Sequence, residues 1–558
     1  MEKTYLFYDQ LSLEFPLHES INTTTELDGN DYLVANIQIP NTEIYAPEIN
    51  FYIRNSEDSI GNKIDNIKKL YDIRALTYDL SQDLDYMQEV GNRLLLVSDE
   101  SKCNVEALEK IIGKEGFTLI SLPSSMIQDV YGNIGKLKVI YKKDKKILEL
   151  ETDQIIWFNA PDFAMKQSGT FDPNIIGLEK SVEIVKENIG LYQYKNFIKY
   201  DSSICQYHER REDICGKCAD VCPTVAILKV DENKHLKFSH IDCHGCGGCV
   251  SVCPSGALDY SQMPRAAFTE ICSFYKDKVP LIIPRKMDIE NLSVRLPKNV
   301  LPLAIEGEKF LHESHMISLI QTSGYPIIFY TDFISKGTGD VIRMINEIFG
   351  RKYSKTAIFI CKDQKTLMDA LHNIVPIKEC VYGINEEGMK KREIFSARLA
   401  HLVGEDDLGV IKTGEHVHYG NITINQDTCT LCLSCVGACN VKALTSHPED
   451  NTLRFNPSIC TNCGYCEYSC PEDNCLKVIK DELSLNSSYF KQNVMATDEI
   501  FKCVECGVGF ATVKSVERIA NMMKPVFGDD EYKVKSLYCC ADCKPKIMLQ
   551  AHLTEKLV

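Results

Sequence analysis

The chain has no apolar run of the roughly 18 residues needed for a transmembrane helix. Its start also lacks the basic and apolar regions of a signal peptide. It is short of positive charge as well, because 62 Lys and Arg residues face 78 Asp and Glu residues and leave a formal net charge of −16. Such a balance repels nucleic acids and anionic membrane surfaces. We therefore expect a cytoplasmic protein that neither inserts into membranes nor binds nucleic acid.

Recognisable catalytic patterns are missing too. The chain contains neither a G-x-G-x-x-G fingerprint after a strand nor a G-x-x-x-x-G-K-[ST] phosphate loop in its α/β regions. The nearest sequence is Gly337-Thr-Gly-Asp340, which we interpret as the first turn of a helix, capped by Thr338 or Asp340. No acid, base or nucleophile constellation is evident, so the sequence assigns no catalytic residue.

Cysteine, in contrast, is abundant and clustered. Of the 26 cysteines, eight lie at 205–253, nine at 429–475 and five at 503–543. The remaining four are Cys103, Cys272, Cys361 and Cys380. Since a reducing compartment disfavours disulfides, clustered cysteines in such a chain indicate metal ligands. Cys361, which ends a predicted strand and has no cysteine nearby, is interpreted as a core residue.

The second cysteine segment contains the pattern C-x2-C-x2-C-x3-C twice, at Cys429, Cys432, Cys435, Cys439 and at Cys460, Cys463, Cys466, Cys470. In this pattern, three close thiolates hold one cubane cluster and the fourth reaches the neighbouring cluster. The first segment has one complete copy, at Cys243, Cys246, Cys249 and Cys253. Its other copy retains Cys215, Cys218 and Cys222 but has Glu212 at the first position. Cys205, which a nine-residue spacer separates from Cys215, is the preferred missing ligand, and His208 is the alternative.

An internal repeat accompanies the motifs. Cys222 precedes Cys243 by 21 positions, and Cys439 precedes Cys460 by the same number. Four and five positions after the last cysteine of three copies stand the pairs Ala226-Ile227, Ala257-Leu258 and Ala443-Leu444. The fourth copy has Cys475 in the Ile or Leu position, which predicts a buried filler and not a ligand. Such recurrence indicates one supersecondary unit used repeatedly.

On these motifs, both segments resemble bacterial-type ferredoxin domains that carry two [4Fe-4S] clusters, a likeness that covers about a quarter of the chain. The resemblance implies four clusters. Their ligand sets would be Cys205, Cys215, Cys218, Cys253; Cys222, Cys243, Cys246, Cys249; Cys429, Cys432, Cys435, Cys470; and Cys439, Cys460, Cys463, Cys466. The alternative of zinc is disfavoured, because zinc sites pair C-x2-C knuckles a dozen or more residues apart.

A further set, Cys503, Cys506, Cys540 and Cys543, forms two C-x2-C knuckles at the C-terminal end of the sequence. It resembles zinc-ribbon sites, in which four cysteines hold a structural zinc ion. A helix over 513–526, with Val516, Ile519 and Met523 on its apolar face, is predicted between the knuckles. The competing interpretation is a fifth iron-sulfur cluster, with Cys539 as a spare ligand, because thiolates alone do not select zinc over iron.

Elsewhere the pattern is α/β. Strands are predicted at 93–98, 117–120, 281–283, 301–305, 327–330 and 357–360; helices at 105–112, 178–189, 311–320, 341–349 and 367–371; and a hairpin at 137–150. We predict an α/β and α+β multidomain fold in which two dicluster domains alternate with α/β domains. The predicted domains are an N-terminal α/β domain (1–198), a dicluster domain (199–262), an α/β open-sheet domain (263–410), a dicluster domain (411–485) and a metal-binding domain (498–558).

The leading functional hypothesis is a polyferredoxin that relays single electrons through four clusters. The likeness to cytoplasmic iron-sulfur subunits implies redox partner proteins, such as a dehydrogenase or hydrogenase-type complex. An electron-transfer subunit is favoured over a stand-alone oxidoreductase. Two alternatives stay open: an oxidoreductase with an organic cofactor such as a flavin in an α/β domain, and an assembly or scaffold protein for a redox enzyme.

Overall fold

The structure is a computed structural model, and it describes residues 4–27, 29–98, 112 and 116–555. The chain forms two compact units, one of Met1–Gly339 with Thr356–Gly383 and the other of Asp340–Lys355 with Ile384–Val558. Within the described ranges, no helix is both long enough and apolar enough to cross a membrane.

The first unit begins with two parallel sheets. The elements before the first cysteine segment are β1 (Tyr5–Tyr8), β2 (Ile21–Thr24), β3 (Tyr32–Ala35), β4 (Thr42–Tyr45), α1 (Pro47–Asn55), α2 (Ile60–Leu80), β5 (Asp85–Val90), β6 (Arg93–Val97), β7 (Thr118–Leu122), β8 (Ile127–Tyr131), β9 (Leu137–Lys143), β10 (Lys146–Thr152), β11 (Gln154–Trp157), α3 (Asp162–Met165), β12 (Thr170–Phe171), α4 (Pro173–Ile176), α5 (Leu178–Glu187) and β13 (Gly190–Lys195). One sheet has the order β2-β1-β3-β4 and the other β12-β11-β6-β7, both entirely parallel.

The first cysteine segment and a third parallel sheet complete this unit. Their elements are β14 (Ile198–Tyr200), α6 (Lys217–Asp220), β15 (Ile227–Val230), β16 (His235–Phe238), α7 (Gly248–Val252), β17 (Leu258–Tyr260), α8 (Arg265–Phe274), β18 (Val279–Pro284), β19 (Val300–Ile305), α9 (Glu313–Ser323), β20 (Ile327–Tyr330), α10 (Lys336–Tyr353, shared with the second unit), β21 (Ile358–Cys361) and α11 (Gln364–His372). The order β19-β18-β20-β21 is again entirely parallel. Every residue of β18, β19 and β20 is buried, as expected for a parallel sheet covered on both faces.

The second unit contains the other cysteine segments. Its elements after α10 are α12 (Lys391–Val403), β22 (Val410–Lys412), β23 (Gly420–Ile424), α13 (Ser434–Ala438), β24 (Leu444–His447), β25 (Thr452–Phe455), α14 (Tyr465–Tyr468), β26 (Leu476–Lys480), β27 (Glu482–Ser484), β28 (Asn493–Thr497), β29 (Ile500–Lys502), β30 (Gly509–Thr512), α15 (Val513–Phe527), α16 (Glu531–Ser536) and α17 (Lys544–Glu555). The core beside the cysteines is apolar and includes Leu444, Leu453 and Phe455, each at most 2% exposed.

Most of the predicted elements are present. The strands and helices of the open sheet and the hairpin of β9 and β10 are confirmed, with boundaries that differ by a few residues. The predicted helix at 105–112 lies outside the described residues, apart from Ile112. The helix predicted to extend to Ile189 ends at Glu187, so Ile189 is not part of its apolar face and is 40% exposed.

Two side-chain assignments are wrong. The cap of α10 is neither Thr338 nor Asp340, because the Ser335 hydroxyl accepts the Thr338 N–H at 3.2 Å. Ile519 does not lie on the buried face of α15, since it is 49% exposed while Val516 and Ala520 are buried. In this helix the buried stripe follows an i, i+4 spacing.

Candidate metal centres

The two long cysteine segments share one fold. The first runs β14-α6-β15-β16-α7-β17 and the second β23-α13-β24-β25-α14-β26. In each, the first and last strands pair antiparallel, and the two middle strands form a hairpin. The triplet cysteines lie in the loops before the short helices and in their first turns, and the fourth cysteine lies just after each helix. The sequence repeat is therefore a structural repeat.

Sulfur atoms from different motifs come together in four groups. In the first segment, Cys218 lies within electrostatic reach of Cys205, Cys215 and Cys253. Cys249 lies within reach of Cys222, Cys243 and Cys246. Each group thus combines cysteines from both motifs of its domain.

The second segment repeats this arrangement. Cys435 lies within electrostatic reach of Cys429, Cys432 and Cys470. Cys466 lies within reach of Cys439, Cys460 and Cys463. Cys435 also acts on Cys466, as Cys218 acts on Cys249, so the two groups within each domain are neighbours.

Cavities lie among these sulfurs. Cys222, Cys243, Cys246 and Cys249 line one small cavity. Cys429, Cys432, Cys435 and Cys470 line another. The other lining residues include apolar ones such as Ile198, Phe238, Ile424 and Leu453. Thiol groups that converge on such a space fit a cubane cluster, in which each cysteine binds its own iron.

Cys205 has the local geometry of a motif's first cysteine. Cys460, which opens a complete motif, follows a 3₁₀ turn (Pro457–Ile459) and has φ −66° and ψ 133°. Cys205 follows an equivalent turn (Ser202–Ile204) with φ −67° and ψ 134°. The N–H two residues later donates to the sulfur in both, at 3.4 Å for Cys205 and 3.3 Å for Cys460.

The insertion after Cys205 contacts the turn between β15 and β16 and the start of β16. The Tyr207 ring is fully buried, and its hydroxyl donates to Asp231 at 2.9 Å. His208, the alternative ligand, has its Nδ1 at 2.9 Å from Nδ1 of His235. The imidazole contacts thus link His208 to β16, whereas Cys205 lies with the other three cysteines.

Residues other than cysteine also have a recurring backbone conformation in the four motifs. The residue after the second cysteine of the triplet has positive φ in all four copies: Gly216, Gly247, Leu433 and Gly464. Left-handed backbone is costly for residues with a Cβ, which explains glycine at three of these positions. Glycine directly after a cysteine in three of the four copies is the sequence pattern that indicates this backbone conformation.

Burial favours the protonated form of several of these thiols. It raises the pKa of Cys215 and Cys243 to about 11 and that of Cys435 and Cys460 to about 12, and neighbouring thiolates add to each increase. Metal ligation requires the thiolate, so cluster binding must release these protons. Cys475, also buried, belongs to the apolar core and lines the cavity beside Cys470.

The C-terminal cysteines form a tighter group. The Sγ atoms of Cys503, Cys506, Cys540 and Cys543 all lie within 4.8 Å of one another. In the part of the chain that the structure describes, no other group of three or more cysteine, histidine or acidic ligand atoms is this compact. Four sulfurs at 2.3 Å from one tetrahedral ion would lie about 3.8 Å apart. The spacing therefore fits a single metal ion and is too close for a cubane.

Local hydrogen bonds shape this group. The first knuckle is a turn between β29 and β30, closed by the Cys503 N–H to the Val508 carbonyl at 2.9 Å. Although burial opposes ionisation, N–H groups of Cys540, Cys506 and Glu505 lower the pKa of Cys503 to about 6. The Cys539 sulfur instead donates to the Lys535 carbonyl at 3.4 Å. At neutral pH these hydrogen bonds favour a thiolate at Cys503, whereas the hydrogen bond with Cys506 and burial raise the pKa of Cys543 to about 12.

The C-terminal elements contact the loops that hold one of the four cysteine groups. The Thr512 hydroxyl donates to the Thr430 carbonyl at 2.8 Å, directly after Cys429. Arg518 forms an ion pair with Glu472 and donates to the Pro471 carbonyl at 3.2 Å, directly after Cys470. The elements from β29 to α17, called the C-terminal module below, therefore contact two loops of the Cys429, Cys432, Cys435 and Cys470 site.

Comparison with protein-family models gives two matches, each described as a 4Fe-4S dicluster domain, at residues 213–257 and 421–471. The first match begins after Cys205. No curated protein matches the chain. Together with the repeated fold, the matches identify two ferredoxin-like 4Fe-4S dicluster domains in this chain and support a role in iron-sulfur electron transfer.

Proposed function

We propose that the protein is a polyferredoxin, which passes single electrons through four [4Fe-4S] clusters between redox partner proteins of a larger cytoplasmic complex. The observation that carries the proposal is the grouping of sixteen cysteines into four sets, each drawn from both motifs of its domain. The clusters supply one-electron chemistry, and the protein insulates them and sets their potentials.

The C-terminal site is proposed to hold zinc as a structural ion. The close sulfur spacing supports one ion over a fifth cluster. The attachment of α15 and β30 to the cluster loops gives such an ion a structural role, because it would hold these elements in place. The module would stabilise the neighbouring cluster without carrying electrons.

Metal analysis of protein purified without oxygen tests both parts. We expect about sixteen irons and one zinc per chain, with reversible one-electron reduction seen by EPR. About twenty irons and no zinc would support a fifth cluster at the C-terminal site instead. Colourless protein with zinc at every site, or clusters that transfer no electrons to low-potential acceptor proteins, would contradict the proposed function.

A further inference from the structure

A polar cleft of about 670 Å³ lies in the first unit, away from the cysteine segments. It is lined by residues that follow the strands β1, β3 and β18 and by one face of α1. Within the described chain, none of its lining residues is a cysteine, so the cleft is not part of the metal centres. Its volume is in the range of sites that bind small molecules.

The sheet topology places this cleft at a switch point. In the strand order β2-β1-β3-β4, the chain leaves β1 toward β2 on one side and leaves β3 toward β4 on the other. Gln10 lies just after β1 and Asn36 directly follows β3, and both line the cleft. Ligands of open parallel sheets bind in the crevice outside the carboxyl ends of the strands, at the point where the connections diverge.

The Asn36 side chain lies between these two strand ends and is 1% exposed. Backbone pairing of β1 with β3 ends at Leu6 and Ala35. Beyond it, Asn36 Oδ1 accepts the Tyr8 N–H at 2.7 Å, and Nδ2 donates to the Tyr8 carbonyl at 3.1 Å. Nδ2 also donates to Asn50 Oδ1 at 2.8 Å. This wall of the cleft is therefore polar and is fixed by its own hydrogen bonds.

Two cations reach the cleft from the segment after β18. Arg285 donates to the Glu306 carboxylate at 2.7 Å. Lys286 Nζ lies 3.2 Å from an Asp332 carboxylate oxygen and 3.7 Å from one of Glu308. Because each of these cations shares its charge with a carboxylate, each would attract a bound anion only weakly.

The third cation, Arg54, has different partners. It lies on α1 one turn after Asn50, and both residues line the cleft. Its Nη2 donates to the Glu290 backbone carbonyl at 2.6 Å, and it forms no ion pair with any residue that the structure describes. Asp288 and Glu290 also line the cleft, but neither carboxylate pairs with Arg54. A guanidinium in this state can bind a carboxylate or phosphate through two parallel hydrogen bonds.

We propose that this cleft binds a small organic anion, with Arg54 as the partner of its carboxylate or phosphate group. Ten of the sixteen lining residues are polar or charged, which disfavours an apolar ligand. The amides of Gln10 and Asn50 would contact the polar body of the molecule. This inference goes beyond the proposed function, because electron transfer through the clusters requires no such ligand.

Isothermal titration calorimetry on the full chain, purified without oxygen, tests the inference. The probes are adenosine monophosphate for the phosphate class and succinate for the carboxylate class, each beside its neutral analogue, adenosine or succinamide. At least one anion should bind with a Kd of about 1 mM or lower, as is usual for small substrates. Its neutral analogue should bind at least about tenfold more weakly, because hydrogen bonds to a charged group are lost. The anion that binds identifies which of the two groups the cleft accepts.

Arg54→Gln should weaken binding of that anion by at least about tenfold. Lys286→Gln should weaken it less, because Lys286 shares its charge with Asp332. The matched control is Arg295→Gln, which removes the same charge from a side chain that is 86% exposed and lies outside the cleft. Iron content and the thermal unfolding midpoint of each variant verify that it is folded.

Three results would overturn the inference: binding of neither anion, equal binding of the anion and its neutral analogue, or an unchanged affinity in Arg54→Gln. An equal loss in Arg295→Gln would also overturn it, because the anion would then respond to net charge and not to the cleft.

Discussion

Cys205 shows how backbone geometry adds to sequence spacing. A nine-residue spacer between Cys205 and Cys215 replaces the two residues of the C-x2-C pattern, and the family match begins within that spacer, at residue 213. The turn, the dihedral angles and the N–H to sulfur hydrogen bond nevertheless match those at Cys460. An insertion after the ligand changes the loop but leaves the preceding strand and turn unchanged, and that turn sets the direction of the sulfur.

Replacing Cys205 tests this assignment. Cys205→Ala should lose one cluster, or about four of sixteen irons per chain, because a cubane needs four ligands. His208→Ala should retain the full iron content, since His208 contacts His235. Iron analysis with EPR of the reduced protein measures both, and Cys272→Ala, at a buried cysteine outside the motifs, is the control. A full iron content in Cys205→Ala together with a loss in His208→Ala would reverse the assignment.

The glycines after the second cysteines differ in their surroundings. A Cβ on Gly247 would lie 2.5 Å from the Phe310 Cβ, whereas a Cβ on Gly464 would meet no atom within 4 Å. Both residues have left-handed backbone. Gly464→Ala should therefore cost about 1 kcal/mol of conformational strain, and Gly247→Ala should cost more, because Phe310 must also move.

Thermal unfolding under anaerobic conditions, with iron content measured beside it, compares the two variants. The lower midpoint and the larger loss of iron are expected for Gly247→Ala. Equal midpoints would show that the contact with Phe310 adds nothing to the strain.

At the scale of elements, apolar periodicity predicts the strands and helices of the open sheet well. Continuous apolar runs such as Ile327–Tyr330 are buried strands, as expected for a parallel sheet covered on both faces. Side-chain roles at element ends are predicted less well. Ser335 caps α10 because of a local turn, and the apolar Ile519 is exposed because α15 packs through Val516 and Ala520. Such outcomes depend on tertiary neighbours that a sequence period does not contain.

The attachment of α15 can be tested by loosening it. Arg518→Ala removes the ion pair with Glu472 and the hydrogen bond to the Pro471 carbonyl. A loss of about 1 kcal/mol would make opening of the loop about fivefold more frequent. We expect one cluster to bleach faster in air, and the decrease in visible absorption measures the rate of bleaching.

The control for this variant lies on the same helix. Met522→Ala removes a side chain that is 59% exposed, so it should bleach at the wild-type rate. Equal rates for Arg518→Ala and the wild type would show that α15 does not protect the cluster.

At the scale of the whole molecule, the two kinds of domain gain stability differently. The three parallel sheets share one strand order, in which the first two strands are adjacent and the third lies on the other side of the first. The alternation of strand and helix patterns in the sequence predicts parallel strands. The order of the strands also depends on which face of the sheet each connection crosses, and the sequence pattern does not contain this information. The paired strands of β14 with β17 and of β15 with β16, in contrast, form sheets of only two strands. Two-stranded sheets are marginal alone, so cluster ligation must supply much of their stability.

Removing iron should therefore unfold the dicluster domains and spare the parallel sheets. We expect limited proteolysis of the iron-free chain to cut within 199–262 and 411–485, while fragments that contain β18 to β21 persist. Mass spectrometry of the fragments locates the cuts, and the same digestion of the iron-loaded chain is the control. Once the metal is removed, the buried thiols, including Cys435 and Cys460, are protonated again. They then provide no interaction that replaces the lost cluster bonds. Cuts that fall equally in the parallel sheets would show that iron stabilises the chain as one cooperative structure.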